Sequence, residues 1–223
     1  MSQQILPFYL VCDESASMAG ESIDSVNTSL PDIHHQIASQ PAIADKARLC
    51  LIGFADDAEV LLPLSDLGAV SSIPALKAHG GTSYGAAFTR LRETIAADVD
   101  RLKTEGHRVY RPAVFFLSDG LPTDDDWEQA YRDLTDESWK PHPNILAFGF
   151  GWADRHIIRQ VATMSAYMAN GELGPAQALA EFAKSLIHSM LLSATRPADS
   201  EAGPALSKPD TVQGFTRLEP EEV

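Results

Sequence analysis

The chain has 223 residues and a mass of 24.2 kDa, which suits one domain with a short extension or two very small domains. Hydrophobic residues make up 44% of the sequence and charged residues 22%, a composition typical of a globular protein that excludes a wholly disordered one. The formal net charge is -14. We therefore expect neither nucleic acid nor a membrane as a partner, because an acidic surface repels phosphate groups.

The cysteines and the apolar segments indicate a cytoplasmic protein. Cys12 and Cys50 are isolated in the sequence, which excludes a disulfide scaffold, a CxxC redox site and a thiolate zinc site. The longest early apolar run, residues 5–12, contains Pro7 and is far shorter than the ~20 residues of a membrane-spanning helix. No basic segment precedes this run, so we do not expect a signal peptide.

The first part of the chain alternates strand-like and helix-like segments. Residues 5–12 are short and continuously apolar, which predicts a buried strand. Residues 22–40 predict a helix because apolar side chains recur at spacings of three and four. Residues 47–54 predict a second strand, and residues 58–62 predict its antiparallel partner at the edge of the sheet.

The alternation continues through the rest of the chain. The further predicted elements are helices over residues 84–103, 126–136, 154–163 and 175–192, and strands over residues 113–117 and 144–150. Strands that alternate with helices of this length form βαβ units. We therefore predict an α/β fold with a mostly parallel central sheet, one antiparallel edge strand and helices on both faces.

The composition changes after Ser193. Residues 194–223 contain four prolines, few large apolar residues, and six acidic against three basic residues. We therefore divide the chain into a folded domain over residues 1–193 and an acidic tail over residues 194–223, which we expect to be disordered.

Oxygen-bearing side chains lie in three segments, two of which directly follow predicted strands, near the edge of a parallel sheet where ligands collect. Asp13, Ser15 and Ser17 come after the first strand, Thr82 comes after a Gly-Gly loop, and Asp119 comes after the strand over residues 113–117. All five are hard oxygen donors, without an accompanying imidazole or thiolate. This set favours Mg²⁺ or Mn²⁺, and Ca²⁺ less well because only two of the donors are acidic. The alternative is that the serines cap a helix and Asp119 orders a turn.

The three-segment motif resembles the metal-ion-dependent adhesion site of the von Willebrand factor A domain family. The resemblance implies a three-layer, Rossmann-like fold. It also implies that Ser15, Ser17 and Thr82 bind the metal through their hydroxyl oxygens, while Asp13 and Asp119 act directly or through water. A metal held this way can accept a further carboxylate from a partner protein.

Within that family the sequence is most similar to the bacterial cytoplasmic TerY-like proteins, which are linked to tellurium and stress resistance. The similarity lies in residues 13–18, 80–82 and 117–123. Neighbouring genes in that group encode a protein kinase and a metal-dependent phosphatase, so the resemblance implies both as partners. It also implies phosphorylation of the tail, with Thr211 and Thr216 as the best candidates and an inert tail as the alternative.

Three classes of function stay open. The first is a non-enzymatic, metal-dependent protein-binding module, since the sequence has no GxSxG, Walker A or HExxH motif and no GxGxxG after a strand. The second is a Mg²⁺-dependent phosphatase of the haloacid dehalogenase type, although that motif needs a second Asp where this chain has Ser15. The third is a structural scaffold with a vestigial metal site.

Two further features have alternative interpretations. Asp124-Asp125-Asp126 is interpreted as the N-terminal cap of the helix that begins at Trp127, with an extra cation site as the alternative. Trp152, after the strand over residues 144–150, either packs over the end of the sheet or contacts a partner.

Overall fold

A computed structural model describes residues 3–39, 45–172, 181, 184–185, 188 and 211–218. The strands are β1 (Gln4–Asp13), β2 (Ala47–Phe54), β3 (Ala58–Ser65), β4 (Arg108–Val109), β5 (Ala113–Ser118), β6 (Asn144–Gly149), β7 (Ser165–Ala169) and β8 (Phe215–Leu218). The α-helices are α1 (Glu21–Ala38), α2 (Tyr84–Thr104), α3 (Trp127–Thr135) and α4 (Arg155–Val161). Short 3-10 helices span Ala16–Met18 and Leu67–Ala69.

The strands form one sheet in the order β3-β2-β1-β5-β6-β7-β8, with β4 paired to the start of β1. Neighbouring strands from β2 to β7 run parallel, whereas β3 pairs with β2 and β8 pairs with β7 in antiparallel fashion. The predicted α/β fold with a mostly parallel sheet is confirmed, and so is the antiparallel edge strand that follows β2. The parallel order brings the carboxyl ends of β1 and β5 side by side.

Helices cover both faces of the sheet, which explains why β1 is apolar from Ile5 to Cys12 and β5 from Ala113 to Leu117. Val26 and Leu30 of α1 pack on one face, in the same core cluster as Phe115. The other face carries α2, α3 and α4, with Phe88 beside Phe116 at a ring-centroid distance of 5.4 Å. None of the helices among the described residues is both long and apolar enough to cross a membrane.

The two cysteines lie on opposite faces of the sheet. Cys12 belongs to the core cluster that includes α1, and Cys50 belongs to the cluster that includes α2. Both are free and buried, and burial raises the pKa of each thiol well above its usual range. They are packed as small apolar side chains.

Part of the predicted disordered tail belongs to the sheet. Within residues 194–223, Phe215–Leu218 form β8, which pairs with β7 from Ala169 opposite Phe215 to Ala166 opposite Leu218. Phe215 and Leu218 are buried. The prediction of disorder is therefore wrong for residues 211–218. The rest of the predicted tail and most of the predicted helix over residues 175–192 lie outside the described residues.

Candidate metal centre

Asp13 lies at the end of β1, where its carboxylate joins two neighbouring segments. Its Oδ1 atom accepts a hydrogen bond from the backbone N–H of Ser15 at 2.8 Å, which closes a tight turn after the strand. Its Oδ2 atom accepts a hydrogen bond from the hydroxyl of Ser118, the last residue of β5, at 2.5 Å. The carboxylate is thus fixed at the junction of the two central strands.

The segment after Asp13 curls so that its two serines face the same point. The 3-10 turn over Ala16–Met18 brings the Ser15 and Ser17 hydroxyl oxygens to 2.9 Å from each other. The Ser17 hydroxyl also donates to Oδ1 of Asp119 at 2.7 Å. Four of the five predicted ligands therefore form one continuous hydrogen-bonded group.

Thr82 reaches the same group from a third loop. Its backbone N–H donates to the Thr123 hydroxyl at 3.1 Å, and its carbonyl accepts from the Thr123 backbone N–H at 2.9 Å. A Cβ placed on Gly120 would lie 3.2 Å from the Thr82 hydroxyl oxygen and 3.7 Å from that of Ser17. Gly120 thus leaves space for both hydroxyls on the residue next to Asp119. The structure brings all five predicted residues to one edge of the sheet.

The two carboxylates of this group are buried without a basic partner. Asp13 has 0% of its surface exposed and Asp119 has 3%. None of the ion pairs among the described residues includes either of them. Buried carboxylates are costly unless a positive charge or strong hydrogen bonds compensate for the lost hydration. A divalent cation would supply that charge, so the donor set fits one.

Burial also determines the ionisation of these groups. Burial raises the pKa of Asp13, and hydrogen bonds from Ser118 and Ser15 oppose the change. Burial raises the pKa of Asp119 as well; the Ser17 hydrogen bond opposes it and the nearby charge of Asp13 adds to it. Without a cation, the site therefore disfavours two negative charges at once.

Hydroxyl groups distinguish this arrangement from a carboxylate or imidazole cluster. In the described part of the chain, no three His, Cys, Asp or Glu side chains come together as a metal-binding cluster. The candidate centre instead has two carboxylates and three hydroxyls, so its net charge stays low. A cation held there would keep much of its own positive charge for a further ligand.

Glu14 supports the site, and the sequence analysis gave it no role. Its side chain is buried, and one carboxylate oxygen accepts from the backbone N–H of Lys77 at 2.5 Å. Its carbonyl accepts from the N–H of His79 at 2.6 Å. A Cβ on Gly53 would overlap the Glu14 carboxylate, so this glycine makes room for it. Glu14 thereby holds the segment that leads into Thr82.

Asp124 caps a different helix from the one predicted. Its carboxylate accepts from the N–H groups of Tyr84 and Gly85, at 2.9 and 2.6 Å, which are the first residues of α2. The Ser83 hydroxyl donates to it at 3.2 Å. Asp126 occupies the N-cap position of α3, but its side chain makes no capping hydrogen bond. The predicted cap is therefore wrong in its target, and Asp124 instead ties the loop after β5 to the loop that carries Thr82.

Trp152 does not pack over the sheet, because 83% of its surface is exposed. Its backbone N–H donates to the carbonyl of Asp119 at 2.8 Å. Gly151 has a φ of +57° and lies so close that a Cβ there would be 3.3 Å from the Cβ of Asp119. Of the two interpretations of Trp152, packing over the sheet is excluded.

The strand order, with helices on both faces of a mostly parallel sheet, defines the class of Rossmann-like α/β domains, whose ligand sites lie at the carboxyl ends of their strands. The sequence profile of the von Willebrand factor type A domain matches residues 8–121, just over half of the chain. The chain belongs to this family. No curated protein sequence is significantly similar to it.

Solved structures of the same fold come from distant proteins. The ArnB paralog VWA2 from Sulfolobus acidocaldarius has a TM-score of 0.58 at 19% identity, over 85% of this chain and 46% of that chain. Proximal thread matrix protein 1 from the mussel byssus, solved with a zinc-occupied MIDAS motif, has a TM-score of 0.59 at 14% identity, over 85% and 48%. The pilus adhesin SpaC from Lactobacillus rhamnosus GG has a TM-score of 0.65 at 15% identity, over 85% and 31%. The chain spans less than half of each of these structures, and at such identities the likeness is one of fold.

Proposed function

We propose that this chain is a metal-dependent protein-binding module. In this proposal Asp13, Ser15, Ser17, Thr82 and Asp119 hold one divalent cation, and a partner protein supplies a carboxylate to it. The observation that carries the proposal is the hydrogen-bonded group of two buried carboxylates and two serine hydroxyls, to which no basic side chain of the described residues is paired.

Magnesium is the first choice of metal, with Mn²⁺ and Ca²⁺ as alternatives. Carboxylate and hydroxyl oxygens are the donors that hard cations prefer, and a small set of them favours Mg²⁺ over the larger Ca²⁺. The zinc in the mussel byssus protein belongs to that structure. The identity of the metal here therefore needs a direct comparison of Mg²⁺, Mn²⁺, Ca²⁺ and Zn²⁺ in solution.

A binding role fits the site better than an enzymatic one. The Ser15 and Ser17 hydroxyls bond to each other, and Ser17 also donates to Asp119. If these groups hold a cation together, neither hydroxyl is left to act as a nucleophile beside a free general base. A phosphatase of the haloacid dehalogenase type would need a carboxylate at Ser15 to protonate its leaving group. The proposal is therefore a non-enzymatic module, and sustained turnover of an aryl phosphate with Mg²⁺ would argue against it.

The finer assignment is a TerY-like cytoplasmic protein of a bacterial tellurium or stress-response system, which acts with a protein kinase and a metal-dependent phosphatase. The support is the amino-acid sequence of the motif segments, residues 13–18, 80–82 and 117–123. Of the two threonines proposed for phosphorylation, Thr211 is the better candidate. Thr216 lies within β8 opposite Met168, where phosphorylation would need the strand to open.

Thermal unfolding with Mg²⁺ or with EDTA tests the metal site. A ligand that binds only the folded state at about 100 times its Kd stabilises that state by roughly 2.7 kcal/mol. We expect this gain in the wild type and its loss in the Ser15→Ala/Thr82→Ala variant. The control variant Ser71→Ala/Thr89→Ala removes the same two kinds of hydroxyl from exposed positions and should keep the gain. An equal rise in melting temperature for all three proteins would contradict the assignment.

A further inference from the structure

Two large hydrophobic side chains are exposed among the described residues, and both belong to loops that meet at Asp119. They are Leu121, with 53% of its surface exposed, and Trp152, with 83%. Single exposed leucines are common on protein surfaces and need no explanation. An exposed tryptophan is less common, and here it accompanies an exposed leucine beside the candidate metal site.

The loop that carries Trp152 is held in place by hydrogen bonds to the loop after β5. The N–H of Phe150 donates to the carbonyl of Ser118 at 3.2 Å, and that of Trp152 donates to the carbonyl of Asp119 at 2.8 Å. Gly151, with its positive φ, makes the turn between them. The backbone therefore presents the Trp152 side chain outward from a fixed position next to Asp119.

The loop that carries Leu121 is held from the other side. Two residues before it, Asp119 accepts from the Ser17 hydroxyl, and two residues after it, Thr123 is bonded to Thr82 through both its hydroxyl and its N–H. Leu121 thus projects from a short segment that is fixed at both ends to the other loops of the site.

We propose that Leu121 and Trp152 form apolar contacts at the rim of the candidate metal site, and that the partner is a polypeptide segment with a large apolar residue within a few positions of its carboxylate. This proposal rests on the proposed function. It adds a second requirement for the partner: besides the acidic side chain, the partner must offer a large apolar residue.

The net charge of the chain favours a polypeptide of another protein as the partner, over a lipid surface or a second copy of this chain. With a net charge of -14, the protein repels anionic membranes and repels itself, and it would also repel an acidic partner everywhere except at the cation. A carboxylate alone would not distinguish one acidic protein from another. Burial of Trp152, a side chain type that often dominates binding energy, would supply the missing affinity and specificity.

Binding of short fluorescent peptides tests the proposal. The probes are one peptide with a central Asp and a Phe two positions away, the same peptide with Ser in place of Phe, and the same peptide with Asn in place of Asp. Their dissociation constants are measured by fluorescence anisotropy in Mg²⁺ and in EDTA. The proteins are the wild type, Trp152→Ser, Trp152→Phe, Leu121→Ser and the control Lys140→Ser. Lys140 is exposed and lies before the start of β6, whereas Trp152 follows the end of that strand. Calorimetry measures Mg²⁺ binding to each protein separately.

We expect the wild type to bind the Asp–Phe peptide in Mg²⁺ roughly tenfold or more tightly than the Asp–Ser peptide. Trp152→Ser and Leu121→Ser should reduce that preference, while Trp152→Phe and Lys140→Ser keep it and all variants keep the Mg²⁺ affinity of the wild type. Three results would overturn the inference: equal binding of the two peptides, binding by the serine variants equal to that of the wild type, or no Mg²⁺-dependent peptide binding. If calorimetry still showed Mg²⁺ binding in those cases, the proposed metal site would be unaffected. Absence of calorimetric Mg²⁺ binding would instead refute the proposed function. Dimerisation in sedimentation experiments that Trp152→Ser abolishes would assign the surface to a second copy and overturn the peptide proposal.

Discussion

The two ends of the sheet differ in how their charged side chains are placed and paired. At the amino end, Arg101 lies on the surface between Asp98 and Glu105, at 3.1 and 3.4 Å, and Arg92 stacks over the ring of Trp139 at 4.7 Å. At the carboxyl end, Asp13 and Asp119 are buried, and their partners are hydroxyl and N–H groups.

The charged groups at the amino end interact with water and with each other, whereas the buried carboxylates at the carboxyl end are placed to bind a ligand. Exposed ion pairs contribute little to stability and need no further partner. Buried carboxylates reduce the stability of the folded state unless something positive joins them. The carboxyl end therefore has the properties of a site that is completed by a cation. Changes there should alter the response of the protein to metal, and changes at the amino end should not.

The largest expected effect comes from Asp13→Asn. With saturating Mg²⁺ this variant should lose about 2.7 kcal/mol of metal-dependent stability, the gain expected for a ligand at about 100 times its Kd. In EDTA its free energy of unfolding should equal or exceed that of the wild type, because the amide keeps the shape and the Ser15 hydrogen bond without a buried charge. Chemical denaturation with and without Mg²⁺ measures both numbers. A variant that is clearly less stable in EDTA would indicate that the carboxylate is structural.

A smaller effect on the metal is expected from Glu14→Gln. Side chains that orient metal ligands typically change metal affinity by about 10- to 100-fold when they are replaced, and Glu14 acts one step away from Thr82. We therefore expect a loss of roughly tenfold in Mg²⁺ affinity with little change of fold. Gly53→Ala should have a similar effect, because its Cβ would displace the Glu14 carboxylate from Lys77. If calorimetry showed the wild-type Mg²⁺ affinity in both variants, Glu14 would have no role in positioning the metal ligands.

The capping role of Asp124 gives a matched pair. Loss of a helix cap costs about 1 kcal/mol, so Asp124→Ala should reduce the free energy of unfolding by that amount. Asp126→Ala removes the same group from a position without a capping hydrogen bond and should change it by less than about 0.5 kcal/mol. Urea denaturation of both variants makes the comparison. If Asp126→Ala were the more destabilising of the two, the original assignment of the cap to α3 would be restored.

The smallest effect is expected at the amino end. Arg101→Ala breaks the ion pairs of Arg101 with Asp98 in α2 and with Glu105 just after it, and pairs at a protein surface contribute about 0–1 kcal/mol. The variant should keep the full Mg²⁺-dependent rise in melting temperature. A loss of metal response in Arg101→Ala would show that the two ends of the sheet are coupled, which the account does not allow.

The sequence predicts the strands that are continuously apolar and does not reveal those that depend on a neighbour. β1 and β5 are buried on both faces, so burial alone makes them recognisable. β7 contains small and polar residues, Ser165 and Ala166 among them, and β8 has only Phe215 and Leu218 as large apolar residues. These two strands pair with each other across about forty-five residues of sequence, and composition carries no information about such a contact.

Some residues of the candidate site could likewise be predicted from the sequence, and others could not. Its five oxygen donors were recognisable because their types and their positions after strands are local properties of the sequence. Glu14 and Ser118 were not, and Asp124 was assigned to the wrong helix, because each acts through a partner far away in the chain. The Ser118 bond to Asp13 spans 105 residues, and the Asp124 bond to Tyr84 spans 40. Only the fold brings these partners together.

The metal site is tested most directly by a crystal structure of the protein grown with Mn²⁺, because the anomalous scattering of the ion identifies its position. We expect one strong anomalous peak at the carboxyl end of the sheet, in contact with the hydroxyl oxygens of Ser15, Ser17 and Thr82. The peak should be absent from crystals of the Ser15→Ala/Thr82→Ala variant grown in the same solution. A peak at another cluster, such as Asp124-Asp125-Asp126, or no peak between the three loops, would contradict the account.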